Sequence, residues 1–229
     1  TPTPQDENLF NDDTVFYFRE GSANKKPGKA VGKTMHEKIK DEAKFKDLEK
    51  IKDWRKVLSN MHYNGAGYVE RTDGDDTIEP LFELDGLKWA SVEHYYHANK
   101  FKKNTPDYYK KFAIDSGSAF AFEPKKALGA GGKGGKVREK NPETKKVKII
   151  FSRPRDIVMD EDFFDGKNPE LVMERAQQAK YEQDDLSKRV LLATKDAKLV
   201  HHIKPRGAPK PSIVFYNTMR VRHRLKKKN

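Results

Sequence analysis

The sequence predicts an α+β fold, a helix-rich single domain with a few short, mostly antiparallel strands. Three observations predict it. Leu81 to Trp89 reads LFEL, then Asp85-Gly86, then LKW, and Asp-Gly between two apolar runs is a strong two-residue hairpin signal. That hairpin feeds straight into a helix, because Ser91 stands where an N-cap side chain accepts backbone N–H groups. Further on, Val172, Met173, Ala176 and Ala179 form an apolar stripe at helical spacing behind Pro169, a good first-turn residue.

The other elements follow in order. Residues 1–13 are polar and contain prolines, which predicts a loose N-terminal tail. Thr14 to Phe18 (TVFYF) is β-branched and aromatic, as a buried strand is. A lysine-rich stretch then predicts a surface helix from about Met35, and Trp54 to Met61 returns to apolar character. After the Ser91 helix, Pro106 opens a second one through Tyr109, Phe112 and Ile114. Gly129 to Lys136 (GAGGKGGK) is expected to break all regular structure, and Val147 to Phe151 (VKIIF) to add a strand. Asp184 or Asp185 caps a helix ending near Leu192. Leu199 to Ile203 and Ile213 to Tyr216 read as short strands around a Pro/Gly loop. The closing RVRHRLKKKN is a cationic run, expected to fray. With no internal repeat and no linker, the expected domain spans 14–222, with a basic tail over 223–229.

Composition narrows the function classes. Of 229 residues, 35% are hydrophobic, and 13 Phe, 9 Tyr and 2 Trp supply the bulk of a core. The formal net charge of +12 favours acidic partners: nucleic acid, nucleotide phosphates or an anionic membrane. Without Cys there is no disulfide framework and no thiolate metal or redox site. No apolar run approaches the roughly 18 residues of a membrane span. The start TPTPQDENLF has no secretory pattern, so the expectation is an intracellular protein, cytoplasmic with a nuclear location left open.

The most informative stretch is LKWASVEHYYHANKF, Leu87 to Phe101. Steps of four and three place Glu93, His97 and Lys100 on one helical face. Trp89, Val92, Tyr95, Tyr96 and Phe101 surround that face. A carboxylate and an ammonium among aromatics lose hydration unless they pair or meet a ligand. The plainer alternative is a weak surface ion pair, the commonest outcome for Glu and Lys at such spacing.

Other motifs are less specific. The glycine segment lacks the P-loop spacing, and Val137 follows Lys136 where Ser or Thr should stand. It also lacks the strand and acidic residue of a dinucleotide fingerprint. Consecutive glycines around Gly132 can still turn backbone N–H groups toward an anion, with Lys133 or Lys136 adding charge. A surface loop explains them equally. His94, His97, His201 and His202 are better explained by packing and hydrogen bonding than by zinc. Tyr95-Tyr96 and Phe163-Phe164 are read as core, with one member of each pair free to stack on a base.

Together these pieces resemble the NADAR family, associated with NAD and ADP-ribose metabolism. LSNM (Leu58 to Met61) is similar to the family's L-S-N-F segment, and WASVEHYYHANKF (Trp89 to Phe101) to its s-v-E-h-y-y-q-a-x-K-F helix. The resemblance continues at Leu128 to Lys136, at VMERAQQAKYEQDDLSKRVLLAT (Val172 to Thr194) and at TMRVR (Thr218 to Arg222). It covers about residues 54–222. The chain departs from the pattern near its end: Lys195 replaces a usual Gly, His201 stands about where a Glu would, and no Trp follows in LVHHIKPRGAPKPS.

The resemblance implies an N-glycosidase acting at the anomeric carbon of a ribose phosphate or ADP-ribose, without metal or cofactor. Two activities are associated with the family: removal of ADP-ribose from guanine bases of nucleic acid, and cleavage of ribosylated pyrimidine intermediates of riboflavin synthesis. An oxocarbenium-like transition state needs negative charge near C1 and help for the departing base. Glu93 supplies the carboxylate. Lys100 orients Glu93, protonates the leaving side, or attacks C1 of an opened ribose, and the sequence does not rank these roles. Arg55, Lys133 and Lys136 are candidate phosphate ligands, Ser59 and Asn60 lie near the sugar, and Tyr96 or Phe164 stacks on a base. His97 and Gly132 complete the substrate-binding set. The favoured expectation is an ADP-ribosyl hydrolase whose partner is ADP-ribosylated DNA or RNA, with no membrane role. The alternatives are the riboflavin-type glycosidase and a non-catalytic nucleic-acid module using the basic Lys125–Arg155 region and tail. Nothing in the sequence sets the oligomeric state.

Overall fold

The run TVFYF completes strand β1 (Asn11–Phe18), where Thr14, Phe16 and Phe18 alternate inward as a half-buried strand requires. The computed structural model describes residues 2–29, 36–65, 79–203 and 211–228. They fall into two compact units, Thr1–Asn60 with Tyr181–Asn229, and Met61–Lys180. Each has its own apolar core.

In the first unit the expected N-terminal tail is tied down. A 3-10 turn (Pro4–Asp6) precedes β1, and Leu9 is buried. The Asp6 carboxylate accepts from Arg220 Nε at 2.7 Å and Nη2 at 2.6 Å. Those bonds hold its pKa down at about 2, against the opposing effect of burial. Met35 lies outside the described residues, and 36–41 form no helix. The first helix starts later: a 3-10 turn (Glu42–Phe45) runs into α1 (Lys46–Lys50), burying Phe45 and Leu48, and α2 (Trp54–Val57) follows.

The second unit opens with the hairpin of β2 (Phe82–Leu84) and β3 (Leu87–Trp89). Asp85 and Gly86 have φ of 54° and 75°, as a type I′ turn demands. Helix α3 (Val92–Asn99) follows at once. Helix α4 (Pro106–Lys110) is shorter than its apolar spacing predicts. Phe112, beyond it, is nevertheless buried, its ring 6.0 Å from that of Phe101. Helix α5 (Pro124–Gly131) corrects the expectation for the glycine segment, since Gly129 to Gly131 are helical. Only the residues from Gly132 to Gly135 form the connection to β4 (Lys136–Lys140), which pairs antiparallel with β5 (Val147–Ser152). Then α6 (Asn168–Gln183) carries the expected stripe, with Ala176 and Ala179 buried.

Back in the first unit, Asp184 caps α7 (Asp185–Ala193), accepting from Ser187 N at 2.8 Å. Strand β6 (Ala197–His201) lies between β1, to which it is parallel, and β7 (Ile213–Val214), to which it is antiparallel. The Pro/Gly loop at 204–210 lies outside the described residues. The expected frayed tail is instead helix α8 (Tyr216–Lys228). Its apolar residues Met219, Val221 and Leu225 are buried. Its cations have fixed partners: besides Arg220, Lys226 meets Asp196 at 2.5 Å and Lys228 meets Glu182 at 2.6 Å. The class is α+β, and three of the four strand pairings among the described residues are antiparallel. No described helix is long and apolar enough to cross a membrane.

Candidate functional site

Helix α3 begins at a well-made cap. Ser91 is extended (φ −156°), and its hydroxyl oxygen accepts from His94 N at 3.3 Å. The same hydroxyl lies 2.7 Å from His94 Nδ1, and His94 Nε2 lies 3.0 Å from the Phe120 carbonyl. Since a carbonyl only accepts, Nε2 carries the proton and Nδ1 accepts from Ser91. Burial is the main reason that His94 stays neutral, its pKa brought down to about 3. His94 thus pins the start of α3, and its two ring nitrogens are both engaged.

The face one residue round is different. His97 Nε2 lies 3.0 Å from Glu93 Oε2, and His97 Nδ1 lies 3.0 Å from Lys100 Nζ. With Lys100 as ammonium, Nζ donates to Nδ1 and Nε2–H donates to the carboxylate. Three side chains at the spacing of four and three therefore form one hydrogen-bonded line. Glu93 sits in the first turn of α3, where the helix dipole favours a negative charge, and Lys100 sits at its C-cap, where a positive charge is favoured.

Burial is graded along that line. Lys100 is 7% exposed, whereas the Glu93 side chain keeps 17%. Glu93 is thus the least buried member of the line. Desolvation pushes its pKa up, but the hydrogen bond from His97 and the charge of Lys100 outweigh it, so the carboxyl is held below its ordinary range. Desolvation brings Lys100 down to about 8, with Glu93 opposing and Arg153 assisting the shift.

Helix α5 closes the lysine end. Its last carbonyls have no partner within the helix and carry the negative end of its dipole. The Gly131 carbonyl accepts from Lys100 Nζ at 3.3 Å. Arg153 Nη1 donates to the carbonyls of Ala130 at 2.9 Å and Gly132 at 3.0 Å. Two cations thus share one helix terminus. Gly131 is required by proximity, because a Cβ there would stand 2.5 Å from His97 Cβ.

Aromatic rings complete the enclosure. Lys100 Nζ lies 5.0 Å from the centre of the Tyr96 ring and 5.9 Å from that of Phe164, within cation–π range. Phe163 is buried edge-on against Tyr96, while Phe164 is 56% exposed, an unusual placement for a large apolar side chain beside a charged group.

No family model matches the chain, and no curated protein matches it. Among solved structures, it is similar to the NMR structure of the E. coli protein YbiA, at 18% identity and a TM-score of 0.46, covering 100% of this chain and 95% of that one.

The second unit thus brings together Glu93, His97 and Lys100, with Tyr96 and Phe164 beside them and Gly132 next to the Lys100 acceptor. Lys133, on the connection that follows, and Lys136, at the start of β4, are exposed and have no ion-pair partner among the described residues. Arg55, Ser59 and Asn60 belong to the first unit. Arg55 is 1% exposed. Its guanidinium donates to the Lys26 carbonyl at 3.1 Å, to the Lys25 carbonyl and to the buried carboxylate of Glu37, so here it is a structural cation. The sequence reading missed Gly131 and Arg153. Their only visible signal is the glycine run itself and a basic residue two positions after VKIIF.

Proposed function

We propose that this chain hydrolyses an N-glycosidic bond, releasing ADP-ribose from modified guanine in nucleic acid. The observation that carries the reading is the Glu93–His97–Lys100 line, with an ionised carboxylate at its less buried end. Such a carboxylate suits a reaction whose transition state places positive charge at C1 of the ribose.

In the proposed reaction the C1–N bond breaks as Glu93 stabilises the cation. Water then adds its oxygen to C1, Glu93 takes the water proton and passes it to the departing nitrogen, which restores the carboxylate. His97 keeps Glu93 oriented and conducts a proton along the line, since each ring nitrogen faces one partner. Lys100 is the reservoir: its ammonium feeds the line, and its amine, accessible near pH 8, receives a proton back. Phe164 offers an exposed ring for a base, and Lys133 and Lys136 offer charge to the pyrophosphate. The roles of Ser59 and Asn60 near the sugar rest on the NADAR resemblance alone.

The deciding experiment follows free ADP-ribose by mass spectrometry after incubating the protein with an oligonucleotide carrying ADP-ribosylated guanine. Release is expected. No release, with turnover of a ribosylated pyrimidine monophosphate instead, would replace the substrate; no turnover of either would remove the glycosidase reading.

A further inference from the structure

The β4–β5 ribbon carries charge that the proposed chemistry does not use. Between Lys136 and Ile149 stand six lysines or arginines and two glutamates. Every residue from Arg138 to Ile149 is exposed. Elsewhere the surface cations are often neutralised locally, as at Lys40–Asp13, Lys126–Glu123 and Arg175–Asp85. On the ribbon, Arg138, Lys140, Lys146 and Lys148 have no acidic partner among the described residues.

The strand register sorts these side chains. Arg138 pairs with Ile149 and Lys140 with Val147, so these four share one face, since directly opposed residues and alternate residues point the same way. Val147 is 60% exposed and Ile149 47%, although both are β-branched and apolar. A face of two unpaired cations and two bare aliphatic side chains is costly to leave in water and is matched to a surface with both phosphate and apolar groups.

The structure assigns this ribbon as a docking element for duplex DNA. A two-stranded antiparallel ribbon fits the major groove of B-DNA, which is about 12 Å wide. Arg138 and Lys140 meet phosphates or base edges there, and Val147 and Ile149 meet thymine methyl groups. The major groove of duplex RNA is too narrow for such a ribbon. The placement also serves the site. Strand β4 starts at Lys136, shortly after Gly131, whose carbonyl holds Lys100. Strand β5 ends beside Arg153, which is anchored to the same turn by the carbonyls of Ala130 and Gly132. DNA seated on the ribbon is therefore fixed to the segment that closes the site. The inference deepens the nucleic-acid part of the proposed function, but its test needs no modified base and no turnover.

The test is binding of a fluorescent, unmodified 20-base-pair DNA duplex to the full chain, by anisotropy over a range of salt. A ribbon variant (Arg138→Ala, Lys140→Ala, Lys146→Ala, Lys148→Ala) is compared with a charge-matched control (Lys46→Ala, Lys52→Ala, Lys110→Ala, Lys111→Ala), exposed lysines elsewhere. Melting curves check that both fold. The ribbon variant is expected to bind about tenfold or more weakly, and the slope of log K against log salt to shrink by about 0.9 for each phosphate that the variant no longer neutralises. The control should change far less, and duplex RNA should bind more weakly than DNA. Equal weakening in both variants, unchanged binding by the ribbon variant, no DNA binding by the wild type, or equal binding of duplex RNA would each overturn the assignment. Those outcomes would leave the glycosidase reading to be decided by ADP-ribose release.

Discussion

Gly131 closes against His97 so tightly that a side chain on the glycine would stand 2.5 Å from the histidine Cβ and 2.6 Å from its Nδ1. The nitrogen it would displace is the one that Lys100 meets. Gly131→Ala is therefore expected to push His97 off both of its partners, at an overpacking cost of about 1–3 kcal/mol. Turnover should fall more than stability alone explains, because the Glu93–His97–Lys100 line is broken. Gly134→Ala is the control, since a Cβ there meets nothing within 4 Å. Melting and initial rates on the two variants check this; a Gly131→Ala protein with wild-type rates would show that the line is dispensable.

What the sequence made legible was local. The Asp85-Gly86 turn, the Ser91 cap and the shared face of Glu93, His97 and Lys100 are set by residues within a few positions of one another. What it hid depends on distant partners. Gly129 to Gly131 read as a breaker by propensity, yet they are helical, and the glycines are needed for close approach, Gly129 to the backbone of β4 and Gly131 to His97 of α3. KVREK gives no apolar alternation, and β4 exists through pairing with β5, with Val137 its one buried residue. The basic terminus folds as α8 because Asp6, Glu182 and Asp196 neutralise its cations. Arg55 finds Glu37 across a lysine-rich stretch with no motif to announce it.

The pH profile separates the roles of Lys100. Its pKa lies near 8, so the ammonium is present below that value and lost above it. If the ammonium feeds the line, kcat/KM falls as pH rises through about 8, and in Lys100→Arg this limb disappears, because a guanidinium does not titrate there. A rise through pH 8 would mean that the neutral amine is the reacting form.

His94 makes stability depend on pH. Its folded pKa is about 3 against an ordinary 6.5, so between those values the unfolded chain binds more protons than the folded one. Stability from this residue is full above pH 6.5 and is lost as pH falls toward 3, with a limiting slope of about 1.4 kcal/mol per pH unit. Melting temperatures across this range should show a shallower acid limb in His94→Gln, even though that variant is less stable at neutral pH. Parallel limbs would count against a neutral, buried His94.

Phe164 tests the base platform. Its ring is 56% exposed, so Phe164→Ala should barely move the melting temperature. Loss of a stacking surface worth about 1–3 kcal/mol should raise KM roughly 5- to 160-fold while kcat changes little. A fall in kcat at constant KM would place Phe164 with the Lys100 end of the line instead.

The central claim concerns Glu93, the carboxylate and the least buried member of the line. The measurement that tests it most directly compares ADP-ribose release by wild type and Glu93→Gln from the same ADP-ribosylated oligonucleotide, with both melting curves in hand. Glutamine keeps the shape and accepts from His97 through its carbonyl oxygen, but it carries no charge. The account predicts a folded variant whose release falls by about a hundredfold or more, the scale of losing one positioned acid–base group. A folded Glu93→Gln protein that releases ADP-ribose at the wild-type rate would contradict it.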